Sequence, residues 1–417
     1  MTPLGLFGAL LTLSSVFGVI NNRTLRLPPS IGVLAIALLV SLVILAVNPF
    51  IPGIDLQAVL QELLGKINFS QALLNGALSF LLFAGALQVN LGQLWARKIT
   101  VLALALVGTV LAVAVFGGAM WFVFPLSGVS VPLIWCVVLG SILAPTDPVS
   151  VVAMLRRIGL PEAIQAVFAG ESLFNDGIAV VISSVALEIA THGSAISGIG
   201  IITTFLQQAL GGGAVGLGCG WLAVQLMRSV DDSHLELIIS LALAAGTFSL
   251  TNSFGMSGPI AVVVAGLSLG SRRSRKALTH DGRRELMIFW SLMDEVLNTL
   301  LFLLIGFEVV AIAFQQFHLI AVLIAIPLSV AARGISVFLA TMLARLRGHS
   351  RGDVLAVLTW GGLRGGISVS LALSLPDNEI RPALLAVCYS VVVYTIIVQG
   401  LTMERVARYF YPDATAR

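Results

Sequence analysis

An all-α polytopic membrane protein is predicted from three features of the chain. Of 417 residues, 58% are apolar and 10% charged, against about a quarter charged in a soluble protein. The apolar residues gather into runs of about 20, the length at which a helix crosses a hydrocarbon core of roughly 30 Å. Two of these runs are interrupted in mid-course by charged clusters, Pro145-Thr146-Asp147-Pro148 and Gly361-Gly362-Leu363-Arg364-Gly365-Gly366.

From the N-terminus, about thirteen spans are expected, with approximate limits 4–20, 30–48, 70–91, 98–124, 131–157, 161–190, 196–227, 234–252, 256–270, 286–315, 318–346, 351–375 and 381–410. Several exceed what a bilayer requires and would tilt. The opening Met1–Ile20 lacks a basic leader, and no small-x-small site precedes Asn21 and Asn22. It reads as a retained first span, not a signal peptide. Between the second and third spans, residues 55–66 place Leu56, Val59, Leu60, Leu63 and Leu64 at helical spacing among polar residues, as in a helix lying along the outer interface. The tail after Tyr411 is too short for a folded domain, so one membrane domain over 1–417 with no soluble regulatory domain is expected. Cys136, Cys219 and Cys388 stand singly in apolar runs and form no metal or disulfide spacing.

The net charge of +3 arises from basic residues in alternate loops and implies no nucleic-acid partner. Those loops carry Arg23 and Arg26; Arg97 and Lys98; Arg156 and Arg157; Arg228; Arg272, Arg273, Arg275, Lys276, Arg283 and Arg284; and Arg345, Arg347 and Arg351. Arg405, Arg408 and Arg417 follow in the tail, and the opposite loops hold only Lys66 and Arg381. Because Lys and Arg concentrate on the cytoplasmic side, a multi-pass protein of the cell membrane is expected, N-terminus outside and C-terminus in the cytoplasm.

The interrupted spans are the fifth and twelfth. Equivalent halves then run over 1–190 and 234–417, with 191–233 as a linker helix. An offset of seven spans makes equivalent helices cross in opposite directions, which is a pair of six-helix inverted-topology repeats. Paired interrupted spans of this kind point to a transporter's site, with the breaks crossing at the bilayer midplane.

Three carboxylates, Asp147, Glu171 and Asp176, fall at expected hydrocarbon depth. An ionised side chain there costs from about 3 to above 10 kcal/mol and persists only when paired, hydrated or bound to an ion. A break leaves free carbonyls on one half-helix and free amides on the other, with a partial charge at each new end. Asp147, just ahead of Pro148, can offset the positive end of the second half of span 5. Arg364 can play the converse part for the carbonyl end of the first half of span 12. Each can equally be a neutralising charge at a simple kink.

Ser172 and Asp176, four residues apart, share a helix face with Asn175 at its edge. A carboxylate, a hydroxyl and freed carbonyls make a hard oxygen shell suited to Na⁺ or Li⁺, and also to partly dehydrated K⁺. One aspartate can hold a proton or a metal ion but not both, and that exclusion is itself a counter-transport mechanism. Glu171 points about 100° away from Ser172 and finds a buried partner in Arg333, a pair read as structural. The five histidines fall at span ends or in loops, which leaves proton carriage to carboxylates. Asp294 and Glu295 could line an entry funnel, but a solvated face is the preferred reading.

Thr146-Asp147-Pro148, Gly170-Glu-Ser-Leu-Phe-Asn175-Asp176, the Arg333 region and Gly362-Leu-Arg364-Gly365 together resemble the monovalent cation:proton antiporters, in particular the electroneutral sodium/proton exchangers of bacterial type. The resemblance implies that Asp176 carries ion and proton in turn and that Ser172, Thr146 and Asp147 complete the site for the transported Na⁺. It implies an ion-bridged Glu171 and Arg333, and Arg364 at the second broken helix. It further implies alternating access by a moving core domain, a homodimer in membrane lipid and no cofactor besides the transported Na⁺ and H⁺. Where the electrogenic branch has two adjacent aspartates, this chain has Asn175-Asp176. A lone carrier bears the same net charge with either occupant, so exchange would be one for one and electroneutral. Many relatives carry a glutamate in the third span, whereas this chain reads Phe83-Ala84-Gly85, with Gln88 as the nearest polar group and a candidate shell member.

A potassium/proton antiporter of the same fold is the nearest alternative reading. A cation channel would need a filter loop or charged ring, and none is evident. An intramembrane hydrolase would need a base near Ser172, or Asp147 and Asp176 as a dyad. No histidine lies within helical reach.

Overall fold

A computed structural model describes residues 3–50, 69–193, 198–271, 274, 277–311, 318–343 and 351–412, which form helices joined by short connections and no strand. The expected interfacial segment 55–66, Arg272, Arg273, Arg275, Lys276, Arg345, Arg347, His349 and Arg417 lie outside the described residues.

The helices are α1 (Pro3–Arg23), α2 (Pro29–Val47), α3 (Phe69–Gln88), the short α4 (Leu91–Ala96), α5 (Lys98–Leu126), α6 (Leu133–Ile142), α7 (Pro148–Ile158) and α8 (Glu162–His192). They continue with α9 (Gly198–Arg228), α10 (Ser233–Ser253), α11 (Gly258–Leu269), α12 (His280–Ala311), α13 (His318–Leu343), α14 (Arg351–Trp360), α15 (Gly366–Leu373) and α16 (Arg381–Phe410). Among the described residues, 8 helices are long and apolar enough to cross a membrane. The two interrupted runs are helix pairs, α6 with α7 and α14 with α15.

Local chemistry accounts for two boundaries that hydropathy misplaces. The third run stops at Gln88 because Asn90 caps α4, its side chain accepting from the Gly92 and Gln93 amides. α12 starts at His280 rather than near 286. Its polar first turns are held by Thr279, whose hydroxyl accepts from the Gly282 amide at 3.0 Å, and by the fully buried Glu236 of α10, which accepts from the Thr279 amide at 2.9 Å.

Close packing relies on small residues, as between membrane helices generally. Gly212, Gly216 and Gly220 repeat every four residues on one face of α9, and a Cβ on any of them would collide with Ser257, Ala261 or Ser268 at and along α11.

The apolar interior falls into two main clusters. One joins α3 and α7 with the first half of α8, the start of α12 and the ends of α13 and α16. The other joins α6 and α15 with the later part of α8, the latter half of α12 and the start of α16. Polar residues sit where each helix passes from one cluster to the other. Thr146 and Asp147 lie between Leu143 and Val151, Asn175 and Asp176 between Leu173 and Ala186, and Asp294 and Asn298 between Trp290 and Phe302. Arg333 lies between Ala332 and Val337, and Arg364 between Leu363 and Val369.

Candidate ion-binding site

The two breaks touch. The Asp147 amide donates to the Leu363 carbonyl at 2.7 Å, and the Arg364 amide donates to Thr395 Oγ1 at 3.2 Å. Backbone amides freed by the interruptions thus find partners, one in the other break and one in α16, as buried amides must. Thr395 opens a π-helical turn, Thr395–Gln399, in α16. Such turns occur often at functional positions. Gly365 permits the contact, since a Cβ there would stand 2.8 Å from Asp147 Cβ.

Arg364 corrects the sequence-based expectation. Its guanidinium does not serve the carbonyl end of its own span. Nη1 donates to Ala144 O at 2.8 Å and Pro145 O at 3.1 Å, the exposed carbonyl end that follows α6 in the other break. Crossing of the breaks puts the positive side chain of one against the negative helix end of the other.

Thr146 is the hub. Ser172 Oγ donates to the Thr146 carbonyl, and Asn175 Nδ2 donates to Thr146 Oγ1 at 2.8 Å. The Thr146 amide also faces the Asp176 carboxylate. A hydroxyl that gives its hydrogen to a carbonyl keeps its lone pairs, so Ser172 Oγ can still accept a cation. Asp176 Oδ1 and Asn175 Oδ1 are buried without a hydrogen-bond partner among the described residues.

Glu171 and Arg333 form a bidentate pair, Nη1 to Oε1 at 2.5 Å and Nη2 to Oε2 at 2.7 Å. Both are buried, and Arg333 Nη2 also donates to Leu358 O at 3.3 Å. Asn175 Nδ2 reaches Glu171 Oε1 at 3.4 Å, linking the pair to the Thr146 hub. Gly362 lets the arginine pass, because a Cβ there would lie 2.9 Å from Arg333 Nε.

A cavity of about 50 Å³ opens at the junction, room for a few water molecules or a partly hydrated monovalent ion. Asp176 lines it from α8, Thr146 and Asp147 from the first break, Gly365 from the second, Gly85 from α3, and Asp294 and Asn298 from α12. Asp294 is the second correction. It is 7% exposed and faces the cavity, whereas its neighbour Glu295 is exposed. Ala84 is fully buried. Gln88 is exposed and is not among the cavity-lining residues; its side chain meets Asp294 instead. Four histidines, His192, His234, His280 and His318, sit at helix ends.

Residues 10–409 match the family described as sodium/hydrogen exchanger, transmembrane. The chain belongs to this family. It is similar to the Na(+)/H(+) antiporter NhaP of Pseudomonas aeruginosa, 38% identical over 412 residues, covering 98% of this chain and 97% of that one. It is also similar to the Na(+)/H(+) antiporter NhaH of Halobacillus aidingensis, 32% identical over 407 residues, covering 96% of each. Among solved structures, the sodium proton antiporter MjNhaP1 from Methanocaldococcus jannaschii at pH 8 shares the fold, with a TM-score of 0.76, 19% identity and 97% of each chain covered.

In this sodium/hydrogen exchanger the sequence did not single out Thr395 or Asn298, and for Asp294 a solvated face was preferred over an entry funnel. An Asp with Asn four residues on, Asp294 and Asn298, was the available signal, since the spacing puts both on one helix face. Thr395 carried no local signal at all.

Proposed function

We propose that this sodium/hydrogen exchanger moves Na⁺ against H⁺, one for one and electroneutrally, with Asp176 holding either occupant but never both. The observation that carries the reading is Asp176, which lines the cavity where the two helix breaks meet and whose buried Oδ1 has no hydrogen-bond partner among the described residues. An uncompensated carboxylate at that depth is costly unless protonated or paired with a cation. In the cation-loaded state, Asp176, Ser172 Oγ, Thr146 and Asp147 supply hard oxygen ligands, and Asn175 holds the Thr146 hydroxyl in place. In the proton-loaded state, the same aspartate is neutral. Glu171, Arg333 and Arg364 neutralise the surrounding helix ends and buried charge, which leaves Asp176 as the group whose charge changes. The names of the similar antiporters support Na⁺ as the cargo.

The same reading makes 1–190 and 234–417 inverted repeats about a linker at 191–233, with the N-terminus outside, the C-terminus in the cytoplasm of a cell-membrane protein, and a homodimer as the working unit. The division of the apolar interior at the level of the breaks supports a site near mid-depth, reached alternately from either side.

The test is proton flux in proteoliposomes on addition of Na⁺, Li⁺ or K⁺ across a pH series, with Asp176→Asn as the control. Na⁺ should drive flux in the unaltered protein and none above background in Asp176→Asn that still reconstitutes as a folded protein. Near-normal exchange by that variant would overturn the proposal, and flux with K⁺ alone would reassign the cargo.

A further inference from the structure

Asp294 has no part in the exchange step above, yet it lines the same cavity as Asp176 from a different helix. The face is set by helical spacing. Asp294, Asn298 and Leu301, at positions i, i+4 and i+7 of α12, all line the cavity. Asp294 Oδ1 accepts from Asn298 Nδ2 at 3.0 Å, and the Gln88 side chain of α3 lies beside the same carboxylate. Gln88 is exposed, so the carboxylate adjoins an exposed amide as well as the cavity that Asp176 also lines.

Both neighbouring polar groups are neutral amides, and among the described residues no basic side chain pairs with Asp294. That distinguishes it from Glu171, whose charge is matched by Arg333. Amides orient a carboxylate without cancelling its charge, and a buried charge so left favours a cationic companion. Direction follows from the chain. Gln88 is followed closely by Arg97 and Lys98, and the start of α12 carries Arg283 and Arg284, residues that charge bias assigns to the cytoplasm.

We infer that Asp294, held by Asn298 and Gln88, is a second station for the transported monovalent cation, on the cytoplasmic approach to Asp176. The inference rests on the proposed exchange function. A cation entering past Gln88 meets Asp294 first and is handed across the cavity to Asp176. From the opposite side, the cation reaches Asp176 without passing Asp294. The station therefore raises apparent affinity on one face only.

Proteoliposomes sorted for a single orientation test this with Na⁺ presented to either face of the unaltered protein, Asp294→Asn and Asp294→Glu. Loss of one unit charge several ångströms from the path, in a medium of intermediate dielectric, predicts a rise of about tenfold in the apparent KM for cytoplasmic Na⁺. The outer KM should change by less than about twofold by the same estimate, and Asp294→Glu should restore most of the cytoplasmic value. A binding measurement separates this from transport. Radioactive Na⁺ should still bind Asp176→Asn weakly and fail to bind the Asp176→Asn, Asp294→Asn double variant. Equal KM changes on both faces, no rescue by glutamate, or indistinguishable binding by single and double variants would overturn the station while leaving the exchange function standing. Absence of any Na⁺-driven flux in the unaltered protein would remove both.

Discussion

At the scale of single residues, Thr146 organises the site more than any carboxylate does. Its carbonyl, hydroxyl and amide meet Ser172, Asn175 and Asp176 respectively, so one residue in irregular backbone holds three polar side chains within little more than one turn of α8. If H⁺ and Na⁺ contend for Asp176, lowering the pH should raise the apparent KM for Na⁺, by up to about tenfold per pH unit where the proton wins. Initial-rate measurements at fixed Na⁺ series and several pH values check it; a KM that falls on acidification refutes simple competition. Arg333→Ala removes the partner of a buried carboxylate, and loss of one member of such a pair costs about 3–5 kcal/mol. The melting temperature in detergent should drop by several degrees, and an unchanged value would show that the Glu171 pair does not stabilise the protein.

At the scale of elements, the junction depends on what is missing from glycine. Gly365→Ala would bring a methyl 2.8 Å from Asp147 Cβ, too near for a first side-chain carbon to yield by rotation, and overpacking of that kind costs about 1–3 kcal/mol. Exchange should fall in Gly365→Ala and persist in Gly118→Ala, where a Cβ meets nothing within 4 Å; equal rates would mean the breaks tolerate separation. The start of α12 rests on another helix. Glu236→Ala would leave the Thr279 amide without its acceptor, a loss of about 1–3 kcal/mol for a buried donor. Hydrogen exchange over residues 279–285 should quicken in that variant, and unchanged protection would assign the start of α12 to Thr279 alone.

At the scale of the whole molecule, two apolar clusters flank a layer of polar groups drawn from both interrupted spans, α8, α12 and α13. If one aspartate alternates between H⁺ and Na⁺, each crossing carries the same net charge. A clamped potential of 100 mV should then leave the exchange rate unaltered, whereas a cycle moving one net charge would be biased by about 2.3 kcal/mol. Flux recorded at imposed positive and negative potentials decides between them.

Much of this was legible in the chain. Runs of apolar residues located the helices because lipid requires every backbone group to be satisfied within a helix. The Pro and Gly clusters pointed to both interruptions because Pro lacks the amide a helix needs and several Gly close together weaken one. Glu171 and Arg333 could be paired from their types, since neither survives buried alone. What the chain could not show was which distant groups would meet. Arg364 reached the carbonyls of the other break, Thr395 capped an amide from 31 residues away, and Asp294 turned inward rather than to solvent. Hydropathy and spacing are properties of a helix by itself, whereas these contacts depend on how helices far apart in sequence cross, and only packing in three dimensions sets that.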